Sequence, residues 1–258
     1  MDAHREKVHR LFSRIAAKYD LMNTVLSLTL DKSWRRRTLT AAAPRAGEHW
    51  LDVCCGTGKL TLELRRLLGG DSEVTGLDFN AAMLSVARRA EVEAKLPAPV
   101  RWLEADATEL PFPADSFDGV TIGFGLRNLP SIDQGIREMR RVLKPGGRWI
   151  CLDLSHPVRP LFRQGHAIFV RYIVPYIGNL GAGGGDNYEW LPASLRNFPG
   201  AEELAVRMSQ SGLEFVCFER LSGGIAAVHT GIKPLPTQSA QQTAHLIGCD
   251  IPGQQHQR

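Results

Sequence analysis

From His49 onward, short apolar runs alternate with helical patterns, and that alternation restricts the fold more than any other feature of the chain. "HWLDVCC" is a short apolar run that ends at glycines. A helical stretch carrying Leu60, Leu62, Leu64, Leu67 and Leu68 follows and closes at Gly69-Gly70. "VTGLDF" reads as a second strand, and a helix runs from Ala81 to about Ala94. "VRWLEAD" and "FDGVTIGF" are the third and fourth strands, the latter entered from the turn-like "FPADS". A helix from about Asp133 to Leu143 stops at Pro145-Gly146-Gly147, a strong breaker, before a fifth strand, "RWICLDLS". Strands separated by helices predict parallel βαβ units with right-handed crossovers. Further on, "LEFVCFERL" and "IAAVHTGI" flank the short turn "SGG" and predict an antiparallel hairpin. The expected class is α/β: a central, mostly parallel seven-stranded sheet with an antiparallel C-terminal hairpin and helices on both faces.

Three regions interrupt or flank this rhythm. Residues 1–46 read as a helical cap or lid. Val8, Leu11, Phe12, Ile15 and Tyr19 recur there at helical spacing, with Arg10, Arg14 and Lys18 between them. "DKSWRRRTL" resumes a helical look, with Asp31 or Ser33 as its N-cap. Residues 47–233 form the main domain, with a partly helical insertion at about 156–200. The aromatic stretch Phe169–Tyr176 in that insertion is either core or the wall of an apolar pocket. Residues 234–258 are Pro/Gln-rich and are expected to form a flexible tail.

Composition excludes several function classes. The net charge of +4 is mild, and "WRRR" at Trp34–Arg37 is the densest basic cluster, read as a solvated helix face. No nucleic acid partner is expected. The five cysteines are odd in number and lack C-x-x-C spacing, so neither a disulfide framework nor a metal site is expected. Cys54 and Cys55 are neighbours on a strand, and their side chains point to opposite faces, which makes them a poor chelating pair. No secretory leader and no apolar run of ~18 residues is seen, and a cytoplasmic location is expected.

The first strand ends in Asp52-x-x-x-Gly56-x-Gly58, at the start of a helix. A backbone without Cβ lets a ligand approach closely, and the helix N-terminus offers free N–H groups. Asp78 ends the second strand, twenty residues beyond Gly58, where an acidic residue accepts hydrogen bonds from ribose hydroxyls. Asp106 ends the third, placed to face an adenine amino group. Three strand ends therefore point at one nucleoside. A dinucleotide would call for a third glycine, but Thr61 stands there, and for a second βαβαβ half in place of the hairpin. These departures disfavour an NAD-linked oxidoreductase and favour S-adenosylmethionine (SAM), whose sulfonium needs no full phosphate-binding turn.

Several segments carry a closer resemblance: "FSRIAAKYDLMNTVLSL", "LDVCCGTGKL", "LPFPADSFDGVTIGFGLRNLPSID", "REMRRVLKPGGR", "YEWLPASLRNFP" and "LSGGIAAVHTGIK". From about Lys7 to Lys233 the chain resembles the ubiquinone/menaquinone biosynthesis C-methyltransferases, within the Rossmann-like class I SAM-dependent methyltransferases. The resemblance implies SAM binding by Asp52, Gly56, Thr57, Gly58, Asp78, Asp106, Ala107 and Gly123. It implies methyl transfer to a ring carbon of a reduced prenylated quinone precursor. Demethylmenaquinol is preferred over a 2-methoxy-6-polyprenyl-benzoquinol, because "VCCGTG" is nearer the naphthoquinone-acting branch. Lys59 departs from the acidic residue usual in the family. Arg127 and Asn128 are the expected catalytic pair, with Arg127 either stabilising phenolate charge or held in a structural ion pair. Tyr188 and His229 are placed at the substrate pocket or, alternatively, in the packed interior. His156 is a weaker candidate base. A non-catalytic SAM-binding protein is the remaining alternative. A long isoprenoid lives in the bilayer, so peripheral membrane contact is expected through the Val8–Tyr19 arm and "WRRR". A homodimer is left open.

Overall fold

The computed structural model describes residues 3–173 and 190–236 of the 258-residue chain. Helices α1 (Ala3–Ile15), α2 (Tyr19–Leu26) and α3 (Leu30–Ala42) come first, with a 3-10 turn over Ala16–Lys18. Strands β1 (His49–Val53), β2 (Glu73–Asp78), β3 (Arg101–Glu104) and β4 (Phe117–Gly123) follow, with α4 (Lys59–Leu68) after β1 and α5 (Ala81–Ala94) after β2. Helix α6 (Ile132–Val142) leads directly into β5 (Leu143–Leu154). Then come α7 (Pro160–Ile168), α8 (Trp190–Arg196), α9 (Ala201–Gln210), β6 (Glu214–Leu221) and β7 (Ala226–Ile232).

The strands form one seven-stranded sheet in the order β3-β2-β1-β4-β5-β7-β6. Strands β1 to β5 pair in parallel, whereas β7 runs antiparallel to both β5 and β6. The hairpin is thus folded back so that its second strand, not its first, joins the parallel part. The strand order reverses between β1 and β4, and at such a switch point a crevice opens outside the carboxyl ends of the strands.

Both faces of the sheet are covered. On one face Leu39 of α3 and Leu60, Leu64 and Leu68 of α4 pack with Trp50 and Ile150. On the other, Ile136, Met139 and Val142 of α6 and Leu204 and Met208 of α9 cover Val120, Ile122 and Trp149. Each of these side chains is buried, and a large apolar side chain so placed is worth ~1.5–3 kcal/mol by removal from water.

Several boundaries differ from the sequence expectation. Strand β5 begins at Leu143, which pairs with Phe117, and the glycines Gly146 and Gly147 form an irregularity inside it before Arg148 pairs with Gly119. The Pro-Gly-Gly breaker ends the helix but not the pairing. Strand β3 stops at Glu104, so Asp106 lies in the following loop. Helix α3 starts at Leu30 after Thr29 in a left-handed conformation, with no side-chain cap. Asp31 instead accepts from Ser27 Oγ (3.1 Å) and pairs with Arg35 (2.8 Å). Tyr188 and the tail beyond residue 236 lie outside the described residues. No helix among the described residues is long and apolar enough to cross a membrane.

Candidate active site

The β1–α4 turn is built around two close contacts. At Gly58 (φ +78°) a Cβ would stand 2.6 Å from the indole of Trp102, so only glycine lets the start of α4 settle on β3. Glu91 of α5 holds that indole by its Nε1 (2.6 Å). Cys54 is also left-handed (φ +53°), and a Cβ on Gly125 would meet its Cβ at 2.4 Å. Cys54 thus borders the site, while the Cys55 sulfur lies against Gly76. Burial, followed by the charge of Asp78, pushes both thiols well above their usual pKa, so they remain protonated. Among the described residues no group of His, Cys, Asp or Glu is arranged to hold a metal ion.

Beneath the turn, Asp52 accepts from Thr61 Oγ1 (2.6 Å) and Thr121 Oγ1 (2.7 Å). Thr61, at the position where a dinucleotide-binding turn has glycine, therefore fixes the strand-end carboxylate. Asp52 is buried under the turn and supports it, and burial pushes its pKa up to about 6. Asp78 is also buried and accepts from the backbone N–H of Gly56 (2.8 Å) and of Asn80 (2.9 Å). Burial raises its pKa to about 6, against the lowering effect of those N–H donors.

A cavity of about 60 Å³ lies along these strand ends. It is bordered by Gly56, Asp78, Asp106, Ala107, Gly123 and Asn128. Six of the predicted site residues therefore converge there, whereas Thr57 and Asp52 border an adjoining cleft of about 1140 Å³. Val8, Phe12 and Tyr19 close the cavity from the cap. The cap is pinned at two points. Asp20 of α2 accepts from Thr57 Oγ1 (2.5 Å) and pairs with Lys59 Nζ (3.4 Å). Asn80 Nδ2 donates to His9 O and Ser13 Oγ of α1, both at 2.9 Å. Lys59 thus helps to anchor the cap through Asp20.

A third cavity, of about 550 Å³ and mostly apolar, lies between the cap and α7. Leu26, Trp34, Leu161, Phe162, Phe169 and Ile225 are among its walls. Phe124 borders all three cavities, so they lie around this one side chain directly after β4. Arg127 faces the apolar cavity, with its guanidinium bonded to Asp153 Oδ1 (2.6 Å) and Phe124 O (2.6 Å). Asp153 also accepts the Arg127 backbone N–H (3.2 Å). The ion pair and the cavity-lining position are both present at Arg127. Asn128 borders the cofactor cavity and donates to Phe124 O (3.3 Å).

Two sequence candidates lie elsewhere. His229 is buried between β7 and α9, with Nε2 2.9 Å from Ala201 O and the ring against Phe218. It borders none of these cavities, and burial lowers its pKa to about 4. The "SGGIAAVH" segment placed it near the site by sequence, but its strand position turns the ring toward α9. His156 bonds Phe198 O (3.2 Å) through Nε2. Tyr19 is the residue the sequence reading missed as a site group. Its helical spacing marked it only as part of an apolar stripe, yet its hydroxyl is bonded to Asn23 and lies within the field of Arg127. Burial raises its pKa, which keeps it a neutral donor.

A glycine turn, a strand-end aspartate and a cap closing over both describe a nucleoside site joined to an apolar one. The family model that matches residues 1–233 is the ubiE/COQ5 methyltransferase family. The chain belongs to that family. It is 43% identical over 231 residues to the demethylmenaquinone methyltransferases of Staphylococcus aureus strains JH9 and MW2, covering 90% of this chain and 95% of theirs. The fold is also that of solved structures at lower identity. The [4+2]-cyclase SpnF superposes with a TM-score of 0.66 at 18% identity, over 89% of this chain and 96% of its own. A SAM-dependent methyltransferase from Thermotoga maritima gives 0.63 at 17% identity, over 87% and 99%. This ubiE/COQ5 family member is a SAM-dependent methyltransferase, and its residues fit that cofactor. Asp78 has lone pairs beyond its two N–H donors for vicinal hydroxyls, and Ala107, Leu77 and Met83 give an apolar seat to a base.

Proposed function

We propose that this protein transfers the SAM methyl group to a ring carbon of demethylmenaquinol. The observation that carries the reading is the junction at Phe124. There a cofactor cavity meets an apolar cavity of about 550 Å³ whose one charged wall group of basic type, apart from a histidine, is Arg127. An apolar chamber of that size suits a prenyl tail, and a cation at its inner end suits a phenolate. The 43% identical demethylmenaquinone methyltransferases support a naphthoquinol over a methoxy-polyprenyl-benzoquinol.

The bound cofactor supplies an electrophilic methyl on a sulfonium. Loss of a phenolic proton from the quinol raises electron density at the adjacent ring carbon. That carbon bonds the methyl as the S–CH3 bond breaks, and the ring proton leaves to restore aromaticity. The protein's residues align the ring and stabilise its charge. Arg127 cannot act as the base, because a guanidinium does not lose its proton in a protein. Pinned by Asp153, it stabilises the phenolate electrostatically while water takes the proton. Tyr19 offers a neutral hydroxyl from the cap to the cavity under the glycine turn, and Asn128 orders the loop between the two cavities.

Arg127→Ala should lower kcat by at least ~100-fold with SAM affinity unchanged. Because that change leaves Asp153 buried without its partner, the Arg127→Leu/Asp153→Leu double variant serves as the folded control. It should also be inactive. Near-normal turnover by either would remove Arg127 from the chemistry.

A further inference from the structure

We infer that the mouth of the apolar cavity, framed by α7 and the α2–α3 corner, is a docking surface for an anionic lipid bilayer. Leu28, Leu30, Leu161 and Phe162 line the cavity and are exposed at the same time, so they form its rim. Leu28 is 71% and Leu161 83% exposed. Leu21 and Val25 of α2, Ile168 of α7 and Tyr172 of the π-helical turn Phe169–Ile173 extend the exposed apolar surface. Single exposed apolar residues are ordinary, but a contiguous set around one opening marks an interaction site.

Charge selects the partner. From Leu154 to Ile173 the chain carries Arg159, Arg163 and Arg171 and no aspartate or glutamate. All three arginines are exposed. The one acid on the cavity wall, Asp31, is buried and neutralised by Arg35 at 2.8 Å. An apolar rim flanked by exposed arginines, in a segment without acids, fits the boundary between anionic headgroups and acyl chains. Most of the "WRRR" cluster is engaged within the fold, with Arg36 exposed. Trp34 is buried and bonded to Ser222, Arg35 pairs with Asp31 and Glu63, and Arg37 pairs with Glu219. The bilayer as partner rests on the prenylated-quinol reading, since such a ligand is dissolved there and would enter the cavity through this mouth.

The test uses the full chain in vesicle sedimentation, with phosphatidylcholine alone and with added phosphatidylglycerol. Binding should require the anionic lipid and weaken with salt. Arg159→Glu/Arg163→Glu should lower partitioning by at least about tenfold. Ile168→Asp should lower it as well. Methylation of a short-tailed, water-soluble demethylnaphthoquinol should be unchanged in both variants, as none of these side chains lines a cavity described above. Parental protein that binds neither vesicle at low salt, or variants that bind as the parent does, would overturn the surface. A dimer that Ile168→Asp dissociates, without vesicle binding, would assign it to a second copy and overturn it too. Vesicle binding without methylation of the soluble quinol would sink the proposed activity and leave the surface standing. The converse result would do the opposite.

Discussion

In the proposed site, Asp78 is the residue on which cofactor affinity should turn. Its carboxyl has a pKa of about 6 in the cofactor-free protein because burial outweighs two N–H donors. Ribose hydroxyls bond best to the ionised form, and a hydrogen bond to a charged group is worth ~1.5–3 kcal/mol. SAM affinity should therefore fall as pH drops through about 6, by one proton per ligand, as titration calorimetry across that range would show. Asp78→Asn should weaken binding at least ~10-fold and flatten the dependence. A slope that persists in the variant would assign it to another group. The place of Asp78 at the cavity was readable in the sequence because it follows from one position, a strand end twenty residues past the glycine turn. The Asp52–Thr61 bond was not. Nothing in the residue types says that a threonine in place of the third glycine would reach back to the strand. His229 fails for a related reason: a strand offers two faces, and which one meets a helix is decided by packing with Ala201 and Phe218.

At the level of elements, the cap acts through its two pins. Asp20 joins Thr57 across 37 positions and Asn80 joins His9 across 71. The volume left beneath the cap is only about 60 Å³, so entry of a nucleoside is expected to move α1 and α2 outward. Asp20→Ala removes the α2 pin and frees Thr57. Stopped-flow release of bound SAM should be several-fold faster in this variant, and limited proteolysis should cut α1–α2 sooner, with the melting temperature little changed. Unchanged release would mean that the Asn80 contacts alone hold the lid. The strands and helices of the sheet were legible to within a few residues because each has its own local period. The docking of the cap was not, since both pins are polar pairs with no periodic signature. The π-helical turn Phe169–Ile173 that follows α7 illustrates the same limit. Its aromatic stretch announced an apolar surface but not whether that surface faced inward, and Phe169 lines the cavity while Tyr172 is exposed.

On the scale of the whole molecule, buried charge ties stability to cofactor and pH. The folded pKa of Asp52 and of Asp78 lies near 6, above the ordinary 3.8. Their contribution to stability is complete below about pH 4 and is lost as pH rises through about 6, up to ~3 kcal/mol for each. His229 works the other way. Its folded value of about 4 lies below the ordinary 6.5, so its contribution is present above pH 6.5 and is lost as pH falls through about 4. Cofactor hydroxyls at Asp78 offset that carboxylate's burial in its ionised form. SAM should therefore raise the melting temperature more at pH 7.5 than at pH 5, and an equal shift at both would contradict the role given to Asp78. The central claim joins this cofactor site to the apolar chamber across Phe124. It is tested most directly by incubating the protein with methyl-labelled SAM and a chemically reduced demethylnaphthoquinol, then locating the label by mass spectrometry and NMR. One labelled methyl on the open ring carbon is the expected product. Label on a phenolic oxygen, or no transfer under conditions where SAM binding is measured, would contradict the claim.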